Sequence, residues 1–150
     1  MKDVITVQWR ISRRLLLWSG FSIAAGALLL LPGGAFLQGA AVQAVAWGVI
    51  DALIAVIAMV RVRRTGQMPP DEYRSVRESL RLRRILLINA GLDLIYIGVG
   101  VALFLLVPGD PFIRGNGAGV VIQGGFLLFF DLFHAGTLPA QAPPWYDPAP

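Results

Sequence analysis

Three aspartates, Asp51, Asp93 and Asp131, interrupt long apolar segments that contain no Lys or Arg to neutralise them. In hydrocarbon an ionised carboxylate is costly, so each such group keeps its proton or finds a cation. Binding a proton, a small cation or an amine is therefore the chemistry within reach of these residues, and transport would be its extension. Other polar side chains share their faces. Gln43, Trp47 and Asp51 follow at intervals of four, Asn89, Asp93 and Tyr96 lie along a second stripe, and Gln123, Asp131 and His134 lie in a third segment. Ser22, with Ser12 and Ser19, is the polar contribution of the first segment. On helices these spacings put most of each set on one side, and that side must face inward.

Depth follows from the nearest end marker of each segment. Asp51 lies ten residues before Arg61, Asp93 nine after Arg84, Asp131 eight before Pro139 and Ser22 eight after Arg14. At 1.5 Å per residue all four sit about 12–15 Å in, which predicts an acidic layer at one level. Ser19, Asn89 and His134 form a second level nearer the basic end, and Gln43 and Gln123 a third toward the other. His134, three residues from Asp131, is placed to share its proton. The competing expectation is that these groups hydrogen-bond across helices and only hold a bundle together. For a single residue such as Asn89 or Gln43 that is the ordinary role, and three acids at one depth favour a site. Oxygen donors alone would suit a hard cation better than zinc, and no particular metal is specified.

The segments that must position these groups are four apolar blocks, at 12–31, 37–60, 85–107 and 117–138. Each is near or above the roughly 20 residues that cross the hydrocarbon core as a helix, and none alternates as a barrel strand would. Of the whole chain 56% is hydrophobic and 15% charged, with a mean hydropathy of +0.67, against roughly 25% charged in soluble domains. The fold class is therefore an all-α integral membrane protein, a four-transmembrane-helix bundle in a single domain of 150 residues. The first block is too long for a cleaved signal peptide and reads as an uncleaved span. Cysteine is absent and His134 is the single histidine, which excludes disulfides, thiolate chemistry and multi-histidine metal or haem sites within one chain. No cofactor is expected.

Pro32-Gly33-Gly34 and Pro108-Gly109-Asp110-Pro111 are short turns between blocks, whereas 61–84 is a long basic connector. Within it Met68-Pro69-Pro70 ends one stretch, and Asp71-Glu72-Tyr73 opens a charged helix that runs into the third block. The Pro-rich tail, 139–150, reads as extended. Of the 13 basic residues, Lys2, Arg10, Arg13 and Arg14 precede the first block, eight arginines fill the connector, and Arg114 alone falls in an opposite turn. The positive-inside rule then places both termini and the connector on the cytoplasmic face of the inner membrane. Topology accounts for the net charge of +4 without nucleic acid, for which no motif is present. The bilayer is the first partner, and a homo-oligomer or a larger membrane complex is a further expectation.

The two halves can be laid over one another. Arg13-Arg14-Leu15 matches Arg83-Arg84-Ile85 at an offset of 70, while Pro32-Gly33, Phe36 and Gly39 match Pro108-Gly109, Phe112 and Gly115 at an offset of 76. A tandem repeat of two helical hairpins follows, with a pseudo-two-fold axis along the membrane normal. Gly20, Gly26, Gly48, Gly91, Gly98, Gly100, Gly124 and Gly125 are expected to let helices approach closely.

Trp47-Gly48-Val49-Ile50-Asp51, Asn89-Ala90-Gly91-Leu92-Asp93 with Tyr96-Ile97-Gly98, and Gln123-Gly124-Gly125 through Asp131 with His134 together resemble an uncharacterised family of small four-span bacterial membrane proteins. The resemblance covers most of the chain apart from the tail and implies no activity. Three functions remain open. A binding protein or transporter requires the acids to converge on a cavity. A non-catalytic assembly subunit requires a closed, hydrogen-bonded core, with Trp145-Tyr146 in the tail as a contact. An enzyme that moves protons on a lipid requires a slot opening sideways, although no nucleophile or phosphate-binding motif is present.

Overall fold

The computed structural model describes residues 4–67 and 71–146; Lys2, Met68-Pro69-Pro70 and the last four residues of the tail lie outside them. Four α-helices follow one another: α1 Val4–Leu29, α2 Ala35–Thr65, α3 Glu72–Leu106 and α4 Pro111–Gly136. Their ends carry the expected local chemistry. At the α1–α2 turn Gly33 and Gly34 adopt φ of 73° and 97°, a region that other L-residues avoid. Asp71 caps α3 by accepting from the Arg74 amide at 3.3 Å. Asp110 caps α4 by accepting from the Phe112 and Ile113 amides at 2.9 and 3.1 Å, and Pro111 fills the first helical position, where a missing N–H costs nothing.

The helices outrun the apolar blocks. α4 starts at Pro111 rather than near 117, because its first turns carry Arg114 and Asn116 and so do not register as hydrophobic. α2 and α3 contain 31 and 35 residues, about 46 and 52 Å at 1.5 Å per residue. Both therefore project beyond a hydrocarbon core of about 30 Å, and most of the basic connector is helix. α2, α3 and α4 are long and apolar enough to cross a membrane. α1 falls below the same measure because Arg13 and Arg14 lie within it, leaving 15 residues from Leu15 to Leu29 without a charge. The tail is not helical, but it is not simply extended either. The Tyr146 amide donates to the Pro143 carbonyl at 2.9 Å, and the Tyr146 ring stacks on Tyr73 at the start of α3, centroids 4.4 Å apart.

The bundle is inverted relative to a water-soluble protein. Leu31, Leu106 and Phe129 are 79%, 77% and 70% exposed, while Ser12, Ser19, Ser22 and Gln123 are buried. With lipid as apolar as leucine, the helices gain little from hydrophobic burial and associate through close packing. α1 packs along α2, α3 along α4, and α2 crosses α4; α1 and α3 scarcely meet.

Small residues make these contacts. A Cβ on Gly39 would collide with the Phe112 carbonyl oxygen, and one on Gly115 with that of Phe36, so the crossing of α2 and α4 is backbone on backbone. A Cβ on Gly48 would lie 2.7 Å from the Ile23 side chain and 3.0 Å from the Ser19 carbonyl, and one on Gly124 would lie 3.0 Å from Ile97 and 3.4 Å from the Asp93 carbonyl. Gly26 meets Ala41 and Val45 as Gly100 meets Gly117 and Val121. Corresponding contacts are thus 74 positions apart on α1 and α3 (Ser19 to Asp93, Ile23 to Ile97) and 76 apart on α2 and α4 (Gly48 to Gly124). The basic pairs, at an offset of 70, do not share this register. Gly20, Gly91, Gly98 and Gly125 have nothing within 4 Å; contrary to expectation, they serve no helix contact within the chain.

Candidate functional site

Asp51, Asp93 and Asp131 are 3%, 4% and 7% exposed, and the three carboxyls are close enough to interact electrostatically. Asp51 and Asp93 share a level, and Asp131 does not. Taking the crossing at Gly39 and Gly115 as origin, Asp51 lies 12 residues along α2 and Asp131 lies 16 along α4; Gly124 packs on the middle of the Asp93–Ile97 turn, so Asp93 itself is level with Phe126, 11 residues along α4. At 1.5 Å per residue Asp93 and Asp51 lie about 17 and 18 Å along, and Asp131 about 24 Å. The acids form a staircase of two steps, with Asp131 one turn nearer the basic end. Counting from Pro139 misplaced Asp131 because the helices pass their end markers by different amounts.

The steps have different surroundings. Asn89 and Asp131 both line the cavity described below, whereas Oδ2 of Asp51 and Oδ2 of Asp93 are buried with no hydrogen-bond partner among the described residues. Such atoms are rare, because each gives up hydration without compensation. Among the described residues no three His, Cys, Asp or Glu side chains are placed to hold a metal ion. The staircase is accordingly no preformed oxygen cage of the kind a hard cation would take.

Trp47 and Tyr96 lie one helical turn from Asp51 and Asp93, toward the glycine turns, and meet edge-to-face with centroids 5.2 Å apart. They wall the acids off between α2 and α3, although Tyr96 itself is 40% exposed and so does not face wholly inward. On the other side of the bundle the Gln123 amide donates to Ser22 Oγ at 3.2 Å. Trp18, unremarked in the sequence, donates to Gln123 Oε1 at 3.1 Å and stacks on Phe126 at 3.6 Å. Gln43 donates to Asn116 at 2.8 Å, and Asn116 donates to the Phe112 carbonyl of its own helix at 2.8 Å. These outer groups are satisfied and bind helix to helix.

His134 does not share a proton with Asp131. Its Nδ1 lies 2.7 Å from the Phe130 carbonyl and its Nε2 lies 3.3 Å from Arg14 Nη1. A guanidinium only donates, so Nε2 accepts and Nδ1–H donates to the carbonyl, which defines a neutral imidazole. Ser19 is likewise occupied, donating to the Leu15 carbonyl at 2.8 Å. Nothing in the sequence pairs Arg14 with His134 or Trp18 with Gln123, since both pairs join helices more than 100 residues apart.

Below Trp47 and Tyr96 the α2 and α3 backbones hardly approach, and a cavity of about 460 Å³ lies between them, with Ile11, Ser12 and Leu15 of α1 forming a further wall. Ile54, Ala58, Ile85 and Phe130 are among its walls, Asp131 and Asn89 face its inner end, and Arg61 and Arg81 line its basic end. Asp131 is the one acid of the three that meets it. Ile54 and Ile85 are 53% and 43% exposed, and Asn89 is exposed, so the cavity opens sideways between α2 and α3.

Residues 14–132 match the Family of unknown function (DUF6992), and the chain belongs to that family. No curated protein and no solved structure matches it.

Proposed function

We propose that the chain is a multi-pass membrane protein that binds a proton, a small cation or an amine at Asp51, Asp93 and Asp131. The observation that carries this reading is the pair of buried carboxylate oxygens, on Asp51 and Asp93, without a hydrogen-bond partner among the described residues. No Lys or Arg lies in the apolar segments around them, and a carboxylate so placed holds a proton or takes a positively charged ligand. Asp131, which faces the cavity together with Asn89, is the step through which the other two communicate with the basic end. Among the described residues no three His, Cys, Asp or Glu side chains are grouped to hold a metal ion, which favours a proton or an amine over a caged metal ion.

The finer topology belongs to the same proposal. α1, lengthened by Leu30 and Leu31 and anchored by Trp9, makes a fourth crossing of the inner membrane. The arginine-rich end is cytoplasmic, because 12 of the 13 basic residues, all but Arg114, fall on that side. The matched glycine contacts at offsets of 74 and 76 support a tandem repeat of hairpins. A second reading, an assembly subunit, draws support from Trp145, which is 54% exposed beside the docked Tyr146.

The test is thermal stability of the purified protein in detergent against pH, monovalent and divalent cations and a primary amine, with Asp51→Asn, Asp93→Asn and the double variant alongside. The expected result is a stabilisation by protons or by one class of cation that disappears in the double variant. Wild type and double variant responding alike to every condition would refute the site.

A further inference from the structure

The cavity between α2 and α3 lies apart from the two unpartnered acids, and its shape and charge fit a different molecule. We infer that it seats an anionic phospholipid, with the phosphate at Arg61 and Arg81, the glycerol esters against Asn89 and Asp131, and an acyl chain leaving between α2 and α3. It shares Asp131 with the proposed acidic site but does not depend on what the acids bind.

Four observations converge. The cavity, about 460 Å³, falls within the range of roughly 300–1,000 Å³ typical of small-ligand sites. Its opening is flanked by Ile54 and Ile85, both exposed and both in helices long and apolar enough to cross a membrane. A molecule entering there comes from the bilayer and not from water. Its basic end carries Arg61 and Arg81 against the single acid Glu78, an excess of positive charge where a helix leaves hydrocarbon, and basic pockets between such helices favour anionic headgroups.

The depth also agrees. Asp131 is level with Ala55 at the offset of 76, six residues from Arg61, or about 9 Å along α2. A phospholipid reaches its ester carbonyls within a few bonds of the phosphate, and the Asn89 amide at that depth can donate to them.

The experiment uses the full chain, delipidated in detergent. Binding of phosphatidylglycerol in mixed micelles is measured by thermal shift and by native mass spectrometry, with phosphatidylcholine and inorganic phosphate as comparison probes. Phosphatidylglycerol should bind and the other two should not. Arg61→Gln/Arg81→Gln should weaken binding about thirtyfold, at roughly 1 kcal/mol for each basic residue near an anionic headgroup. Ala58→Trp, which fills the groove and keeps both arginines, should weaken it as well. Arg64→Gln/Arg84→Gln, which removes the same charge outside the cavity, should change it less than about threefold. Equal loss in the two double variants would reduce the effect to general surface charge and overturn the site. An equal response to phosphatidylcholine, or to inorganic phosphate alone, would overturn the choice of ligand.

Discussion

The two seams of this bundle use corresponding backbone positions and reach opposite outcomes. Between α1 and α4, Ser22 meets Gln123; between α2 and α3, Tyr96 meets Trp47, at positions 74 and 76 residues away. One step toward the basic end, the first seam holds the Trp18–Phe126 stack where the second has Leu92 and Ile50. One step further, Arg14 and His134 join where the second has Ile88 and Ala58. The first seam is thereby narrowed by aromatic rings and satisfied polar groups to a groove of about 270 Å³ along Arg14, Phe126, Phe130 and His134. The second carries aliphatic and small side chains and opens into the larger cavity of about 460 Å³. The helix framework permits two grooves, and side-chain volume decides how much of each stays open.

That comparison can be broken at its base. Gly115→Val places side-chain carbon on the Phe36 backbone, which no rotamer can relieve, and separates α2 from α4 beneath both seams. The folded, monodisperse peak on size exclusion in mild detergent should be lost, while Gly98→Ala, with nothing within 4 Å, should elute as wild type.

Trp18→Ala widens the narrower seam alone. It removes the stack on Phe126 and the closer of two donors to Gln123 Oε1, leaving Ser22 Oγ at 3.5 Å; for this partly buried ring the lost stack and hydrogen bond should cost about 1–3 kcal/mol. Denaturant titration in micelles measures it; a loss below about 1 kcal/mol would mean that the stack does not hold the seam. Ile54→Phe sharpens the contrast from the other side, by putting into the open seam the residue type found at the corresponding Phe130. Stability should change by less than about 1.5 kcal/mol, while a small hydrophobic dye that reports the cavity should lose its binding.

The smallest effect belongs to the tail. Partial desolvation, and then the neighbouring Tyr73 phenol, push the Tyr146 hydroxyl above its ordinary 10, against the opposing pull of Arg77. The neutral phenol is thus the docked form. Docking is complete below pH 10 and fades as pH rises through the displaced value. Trp145 emission should stay constant from pH 7 to 10 and shift only above it, and Tyr146→Phe should remove that shift.

The helices and their turns were legible because apolar runs, Pro-Gly pairs and caps such as Asp110-Pro111 are local signals. The acids were legible as a group, since carboxylates among apolar residues stand out in any context. Their order along the membrane normal was not. It depends on where α2 and α4 cross, and that is fixed by contacts of Gly39 with Phe112 and of Gly115 with Phe36 that no single segment encodes. The same limit hid Trp18, which looks like one more apolar residue until α1 is turned toward Gln123. It also made His134 a partner of Asp131, its neighbour in sequence, when the imidazole was already committed to Arg14.

The α2–α4 crossing, where Gly39 meets Phe112 and Gly115 meets Phe36, is also a matter of leverage. It pins α2 and α4 near one end, where backbone touches backbone and there is no slack to give. From Gly39 to Thr65 is 26 residues, an arm of about 39 Å. By small-angle geometry, each degree of rotation about that pin carries the far tip of α2 about 0.7 Å on an arm of that length. Any flexing of this pair is therefore felt least at the glycine turns and most among the arginines at the mouth of the cavity.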